Sequence, residues 1–127
     1  MSSDEKPLSP HLQVYRPQLT SILSILHRIT GVALMAGTPA VMYWLGSAAY
    51  GAETYGMVHA FFAGWFGQLC LLAWSFALCF HLCGGIRHLC WDAGFFLPIK
   101  QVYVSGYVML AAAFVLWATV WAFGLFG

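Results

Sequence analysis

Hydrophobic positions dominate this chain in three long runs, broken by short polar stretches. The runs extend from about Ile29 to Tyr50, from about Val58 to His88 and from about Val102 to Phe126. Each holds the roughly 20 apolar residues that a helix needs to cross the hydrocarbon core of a bilayer. The pattern therefore predicts an all-α membrane protein with three transmembrane helices, forming one membrane-anchor domain over residues 1–127. Pro39 interrupts the first run. Neighbouring groups in a membrane helix can satisfy the carbonyl that a proline frees, so Pro39 predicts a kink, not an end. Residues 1–20 have no apolar run, and Pro7, Pro10 and Pro17 favour extended backbone. That stretch is predicted to be an extended arm on the membrane surface or against a partner.

Composition agrees with this reading. Hydrophobic residues are 61% of the chain and charged residues 7%, against about 25% charged in a soluble domain. The formal charge of +1 and the lack of any basic run give no reason to expect nucleic acid. Lys6, Arg16 and Arg28 precede or open the first run, while Arg87 and Lys100 flank the second connection. With three spans, all five basic residues fall on one side. The positive-inside rule puts that side, with the N-terminus, in the cytoplasm, or in the matrix for a mitochondrial protein. Asp4 and Glu5 argue against a signal or transit peptide, which favours a bacterial inner membrane.

The third run carries no ionisable residue after Lys100. Its expected role is packing, with Gly106 and Ala111–Ala113 allowing close approach. The four cysteines form no CxxC pair and read as small apolar residues. Trp and Tyr near the run ends read as an interfacial belt.

The chemistry lies in two clusters. On a helix turning about 100° per residue, His81, His88 and Asp92 share a face, with Gly84 and Gly85 beside it. This reads as a metal-ligating imidazole next to a notch for a flat ring, because ionisable groups at membrane depth are costly. A His that hydrogen-bonds across a helix bundle, with glycines that only aid packing, is the other reading. His81 and His88 lie roughly 10.5 Å apart along a helix axis, so they cannot ligate opposite faces of one iron. If His81 binds haem, the second axial ligand comes from another polypeptide. The other cluster opens the first span. Thr20, Ser24 and Arg28 share a helical face there, with His27 one position round. Arg28 can hold a carboxylate such as a haem propionate, or it can snorkel to lipid headgroups.

Three blocks carry a family resemblance: Ser9-Pro10-His11-Leu12-Gln13-Val14-Tyr15, then Ser24-Ile25-Leu26-His27-Arg28-Ile29-Thr30-Gly31, then His81 followed by Gly85-Ile86-Arg87-His88 and Asp92. In this order they closely resemble the cytochrome b556 subunits of succinate dehydrogenase, membrane anchors of respiratory complex II. The resemblance covers almost the whole chain. It implies a haem-binding helical bundle shared with a second small anchor subunit. His81 matches the axial ligand of haem b, and the sister anchor supplies the opposite ligand. Ser24, Ile25 and Arg28 match residues of the ubiquinone site. His27 and Arg28 match positions near the haem propionates. His88 and Asp92 would support the haem edge, serve as a proton route to the quinone, or pair with each other. The implied partners are the iron–sulfur and flavoprotein subunits and membrane lipids. The implied setting is electron transfer from succinate, in the respiratory chain and tricarboxylic acid cycle. This chain has no flavin fingerprint or Cys₄ cluster motif, so succinate oxidation is expected in the soluble subunits. A haem-free structural tether and a transporter subunit are the competing readings.

Overall fold

A computed structural model of the chain describes residues 18–126. The block around His11, and the arm up to Pro17, lie outside the described residues. Four α-helices and no strand occur among the described residues: α1 Leu19–Ser47, α2 Ala52–Ala63, α3 Trp65–Asp92 and α4 Ile99–Phe126. A turn of 3₁₀ helix, Ala48–Tyr50, follows α1. Three helices, α1, α3 and α4, are long and apolar enough to cross a membrane.

The helices start and stop where hydropathy alone does not place them. Gln18 is extended and α1 begins at the next residue, so Leu19 and Thr20 are helical and not part of an extended arm. Leu23 explains the early start. It is buried with Phe80, Met109 and Ala113, and Leu19 packs against that cluster. The first turns of α1 therefore have apolar partners on α3 and α4 even though their sequence is polar. Pro39 lies inside α1, which continues through it to Ser47.

The second apolar run is not one helix. It breaks at Gly64, whose backbone is extended at φ −69° and ψ 164°. Residues 58–63 belong to α2, whose 12 residues give a rod of roughly 18 Å, shorter than a span needs. Gln68 stabilises the corner by donating from Nε2 to the Phe62 carbonyl at 3.0 Å. Gly67 is packed so closely on the end of α2 that a Cβ would overlap Phe61 O and Phe62 Cα. Hydropathy does not detect this corner because both helices are apolar. Gly67→Val is expected to destabilise the fold by about 1–3 kcal/mol, as overpacking does. A lower unfolding temperature of the detergent-solubilised protein checks this, and an unchanged one refutes the corner's tight packing.

Polar clasps join α3 to α4 at two levels. Ser75 Oγ accepts from Trp117 Nε1 at 3.1 Å and Trp121 Nε1 at 2.9 Å. Toward the other end of α3, Arg87 donates from Nε to Ser105 Oγ at 3.0 Å and from Nη2 to the Val102 carbonyl at 2.9 Å. Between them Ala113 is fully buried. At Gly106 a Cβ would stand 3.0 Å from Leu23 Cδ1. The small residues of α4 thus set its close approach, since lipid tails compete with any apolar contact and tight packing must do the work. Much of the apolar surface stays uncovered within the chain. Ile25, Ile29, Val32, Met35 and Met42 on α1 are each more than half exposed. Such a surface is stable only against lipid or other transmembrane helices.

Candidate functional site

His81 and His27 meet where α1 crosses α3. Their rings stack at 4.0 Å between centroids with 13° between planes. His88, two turns further along α3, tilts against the other side of the cluster, 4.9 Å from His27. Two glycines allow the approach. A Cβ at Gly31 would lie 3.1 Å from His81 Cε1, and one at Gly84 would lie 2.7 Å from His27 Cδ2.

The hydrogen bonds of His81 define its tautomer. Nδ1 lies 3.1 Å from the His27 carbonyl and 3.2 Å from Thr30 Oγ1. Thr30 commits its own proton to the same His27 carbonyl at 2.9 Å. Both neighbours of Nδ1 are therefore oxygen acceptors, so Nδ1 carries the proton. The lone pair is left on Nε2, which has no hydrogen-bond partner among the described residues. A ring fixed through Nδ1–H, with a free basic Nε2, is what metal ligation by histidine requires. Of these supports, the sequence marked His27 and Thr30 only as members of a polar opening to the first span. Their link to His81 spans more than fifty positions and has no local signature.

His88 is held differently. Its Nδ1 donates to the Gly84 carbonyl at 2.7 Å, and its ring meets Trp91 edge-on at 5.0 Å. The pairing of His88 with Asp92, one of the three alternatives for these residues, is not made among the described residues. Asp92 closes α3, is exposed, and lines no described cavity beside the histidines.

A cavity of about 390 Å³ opens between α1 and α3 beside this cluster. From α1 come Thr20, Ser21, Ser24, Ile25 and Arg28, and from α3 come Arg87, His88 and Trp91. The i, i+4, i+8 face of Thr20, Ser24 and Arg28 is thus brought onto one wall, opposite His88. No carboxylate lines it. Its polar side chains are hydroxyls, two guanidiniums, an imidazole and an indole, so it favours a ligand with carbonyl or anionic oxygens.

Arg87 and Trp91 were not read as site residues from the sequence. Arg87 had served only as a flanking charge, and Trp91 had no role beyond the interfacial belt. In the fold Arg87 is only 6% exposed, and its guanidinium lies 4.1 Å over the Trp91 ring. The i, i+4 spacing of the pair is a signal that sequence reading could have used.

His27 Nε2, beside His81, is buried without a hydrogen-bond partner, and so is Trp91 Nε1 at the cavity. Such orphans are uncommon in complete structures. One free imidazole nitrogen at the helix crossing, next to buried polar atoms that lack hydrogen-bond partners, fits a flat ring with polar substituents ligated once by this chain. No group of three or more His, Cys, Asp or Glu side chains that could chelate a bare metal ion is formed among the described residues.

Known proteins are similar to this chain over most of its length. The chain is 38% identical over 118 residues to the succinate dehydrogenase cytochrome b556 subunit of Rickettsia typhi, covering 93% of this chain and 92% of that one. It is 41% identical over 111 residues to the cytochrome b556 subunit of Paracoccus denitrificans, covering 87% and 85%. It is 42% identical over 113 residues to the cytochrome b560 subunit of Marchantia polymorpha, covering 85% and 82%. A family model described as the succinate dehydrogenase/fumarate reductase transmembrane subunit matches residues 2–120. Three membrane-length helices, a histidine cluster at their crossing and this extent of identity lead to one conclusion: the chain belongs to the succinate dehydrogenase/fumarate reductase transmembrane subunit family.

Proposed function

We propose that this chain anchors succinate:ubiquinone oxidoreductase in the membrane, binds haem b together with a second small anchor subunit, and forms part of the ubiquinone-reducing site. The observation that carries the reading is the fixed ring of His81, whose Nδ1–H is committed to the His27 carbonyl and Thr30 while Nε2 is left to ligate. On this reading His27, Arg28 and His88 meet the haem propionates, and their closeness to His81 or to the cavity beside it supports that. When bound, haem b supplies a one-electron redox centre within the helix bundle.

The chain's own residues bind and orient. Ser24 donates its hydroxyl proton to a quinone carbonyl, and the Arg28 guanidinium holds the head-group oxygen by charge-assisted hydrogen bonding. Ile25 provides an apolar wall for the ring. Together these contacts keep the head group in one pose while electrons and protons arrive. Succinate is oxidised in the flavoprotein subunit, and electrons reach the membrane edge through the iron–sulfur subunit. On this reading Asp92, exposed at the end of α3, takes up protons from bulk water for the site, and its shared helical register with His88 supports that role. The basic residues set the N-terminus on the cytoplasmic side of a bacterial inner membrane; the matrix side is the alternative if the protein is mitochondrial. Lipids and the sister anchor cover the exposed face of α1.

A reduced-minus-oxidised spectrum of the purified complex tests the reading. Succinate should produce a b-type haem band and reduce added ubiquinone. A complex that reduces quinone with no haem band leaves only a structural anchor.

A further inference from the structure

The cavity between α1 and α3 contains a cation that the ubiquinone reading does not use. Arg87 is nearly fully buried, yet no carboxylate pairs with it among the described residues. Its partners are the Ser105 hydroxyl and the Val102 carbonyl, with the Trp91 ring beneath it. These neutral contacts satisfy Nε and one proton of Nη2. Arg has five N–H donors, so the Nη1 amino group and the second Nη2 proton have no acceptor among the described residues. A buried charge is costly unless it is paired. Arg28 lines the same cavity and brings a second guanidinium with no carboxylate beside it among the lining residues. Trp91, on that wall, has a buried indole N–H with no acceptor.

We propose that Arg87 binds a carboxylate of the ligand held here, which on the reading above is a haem propionate. The guanidinium acts as a positioning residue. It is fixed on one side by α4, through Val102 and Ser105, and offers its remaining N–H groups to the carboxylate on the other. The carboxylate neutralises the buried charge, and Trp91 keeps the guanidinium plane in place. Arg87 thereby latches the start of α4 to the ligand as well as to α3. The assignment rests on the haem reading but is separable from it.

The test uses the assembled complex, with Arg87→Gln and Arg87→Lys in this subunit. Arg87→Gln keeps hydrogen-bonding capacity toward α4 and removes the charge. Haem should then be lost roughly tenfold faster to an acceptor such as apomyoglobin, the weight of about one charge-assisted hydrogen bond. The haem midpoint potential should also fall, because removing a cation near the carboxylate stabilises the oxidised, more positive iron. Arg87→Lys should retain most of the potential. An Arg87→Gln complex that keeps both haem retention and potential overturns the proposal. If neither variant assembles, density for the wild-type complex decides. A propionate oxygen within hydrogen-bond distance of Arg87 supports the assignment, and a guanidinium bonded only to Val102 and Ser105, or to a lipid phosphate, overturns it. Wild-type complex without haem would instead remove the haem reading itself.

Discussion

Replacing His81 with alanine is expected to abolish the b-type haem band of the purified complex. The side chain is fixed by two contacts to Nδ1 from α1, the His27 carbonyl and Thr30, which leaves Nε2 for the iron in the proposed function. Changes to groups that merely orient a metal-bound histidine cost about 10–100-fold in metal affinity. Loss of the ligand itself should exceed that range. The cavity that remains would be apolar on one side and lined with donors on the other, with nothing to coordinate iron. Succinate oxidation with an artificial acceptor should survive, because the proposed function assigns that chemistry to other subunits. Thr30→Val provides a graded comparison. It removes one of the two oxygen acceptors at Nδ1 and leaves the carbonyl, so haem should still bind, less firmly than in the wild type. A haem band of normal intensity in the alanine variant would show that the iron is held elsewhere.

The second large effect concerns Arg28. Arg28→Leu keeps the side chain's bulk and removes its charge and its donors. A hydrogen bond to a charged group contributes about 1.5–3 kcal/mol, or roughly 10- to 150-fold in kcat/KM for ubiquinone. Electron flow from succinate to a soluble dye should stay near the wild-type rate. The contrast between the two acceptors is the informative result. Parallel loss of both activities would mean that the soluble subunits no longer dock, and Arg28 would then be an assembly residue. Ser24→Ala should reproduce the same contrast at smaller size, since a neutral hydrogen bond contributes about 0.5–1.5 kcal/mol.

Much of the fold is legible in the sequence. Three apolar runs correspond to three membrane-length helices, because hydrophobic length is a local property fixed by the thickness of the bilayer. The small residues of α4 were legible for the same reason, and Gly106 and Ala113 do pack at the helix contact. Two boundaries were misplaced. The start of α1 was set too late because hydropathy measures transfer into lipid, whereas the first turns of α1 are stabilised by burying Leu19 and Leu23 on α3 and α4. The break at Gly64 was missed because apolar residues flank it on both sides, and one glycine within such a run is also compatible with continuous helix.

The candidate site was legible in pieces. Thr20, Ser24 and Arg28 share a face by simple periodicity, and in the fold that face lines one cavity wall. His88 and Asp92 share a register, but they do not meet. His88 instead finds the Gly84 carbonyl, a partner one turn back that satisfies Nδ1 at no cost in side-chain reach. Arg87 looked like a topological charge at the end of a span. Only the approach of α4 gives it the Val102 carbonyl and Ser105 and turns it inward.

From residues alone came the membrane class, the number of spans, the distribution of positive charge and the singling out of His81 within an apolar segment. Those follow from transfer free energies and helical periodicity, which act over a few residues at a time. Tertiary structure decided which nitrogen of His81 carries the proton, that His27 stacks on it, and that Arg87 is buried beside a cavity without a counter-anion among the described residues. Each of these depends on groups distant in sequence meeting across helix contacts, where hydrogen-bond geometry and desolvation, not local pattern, determine the outcome.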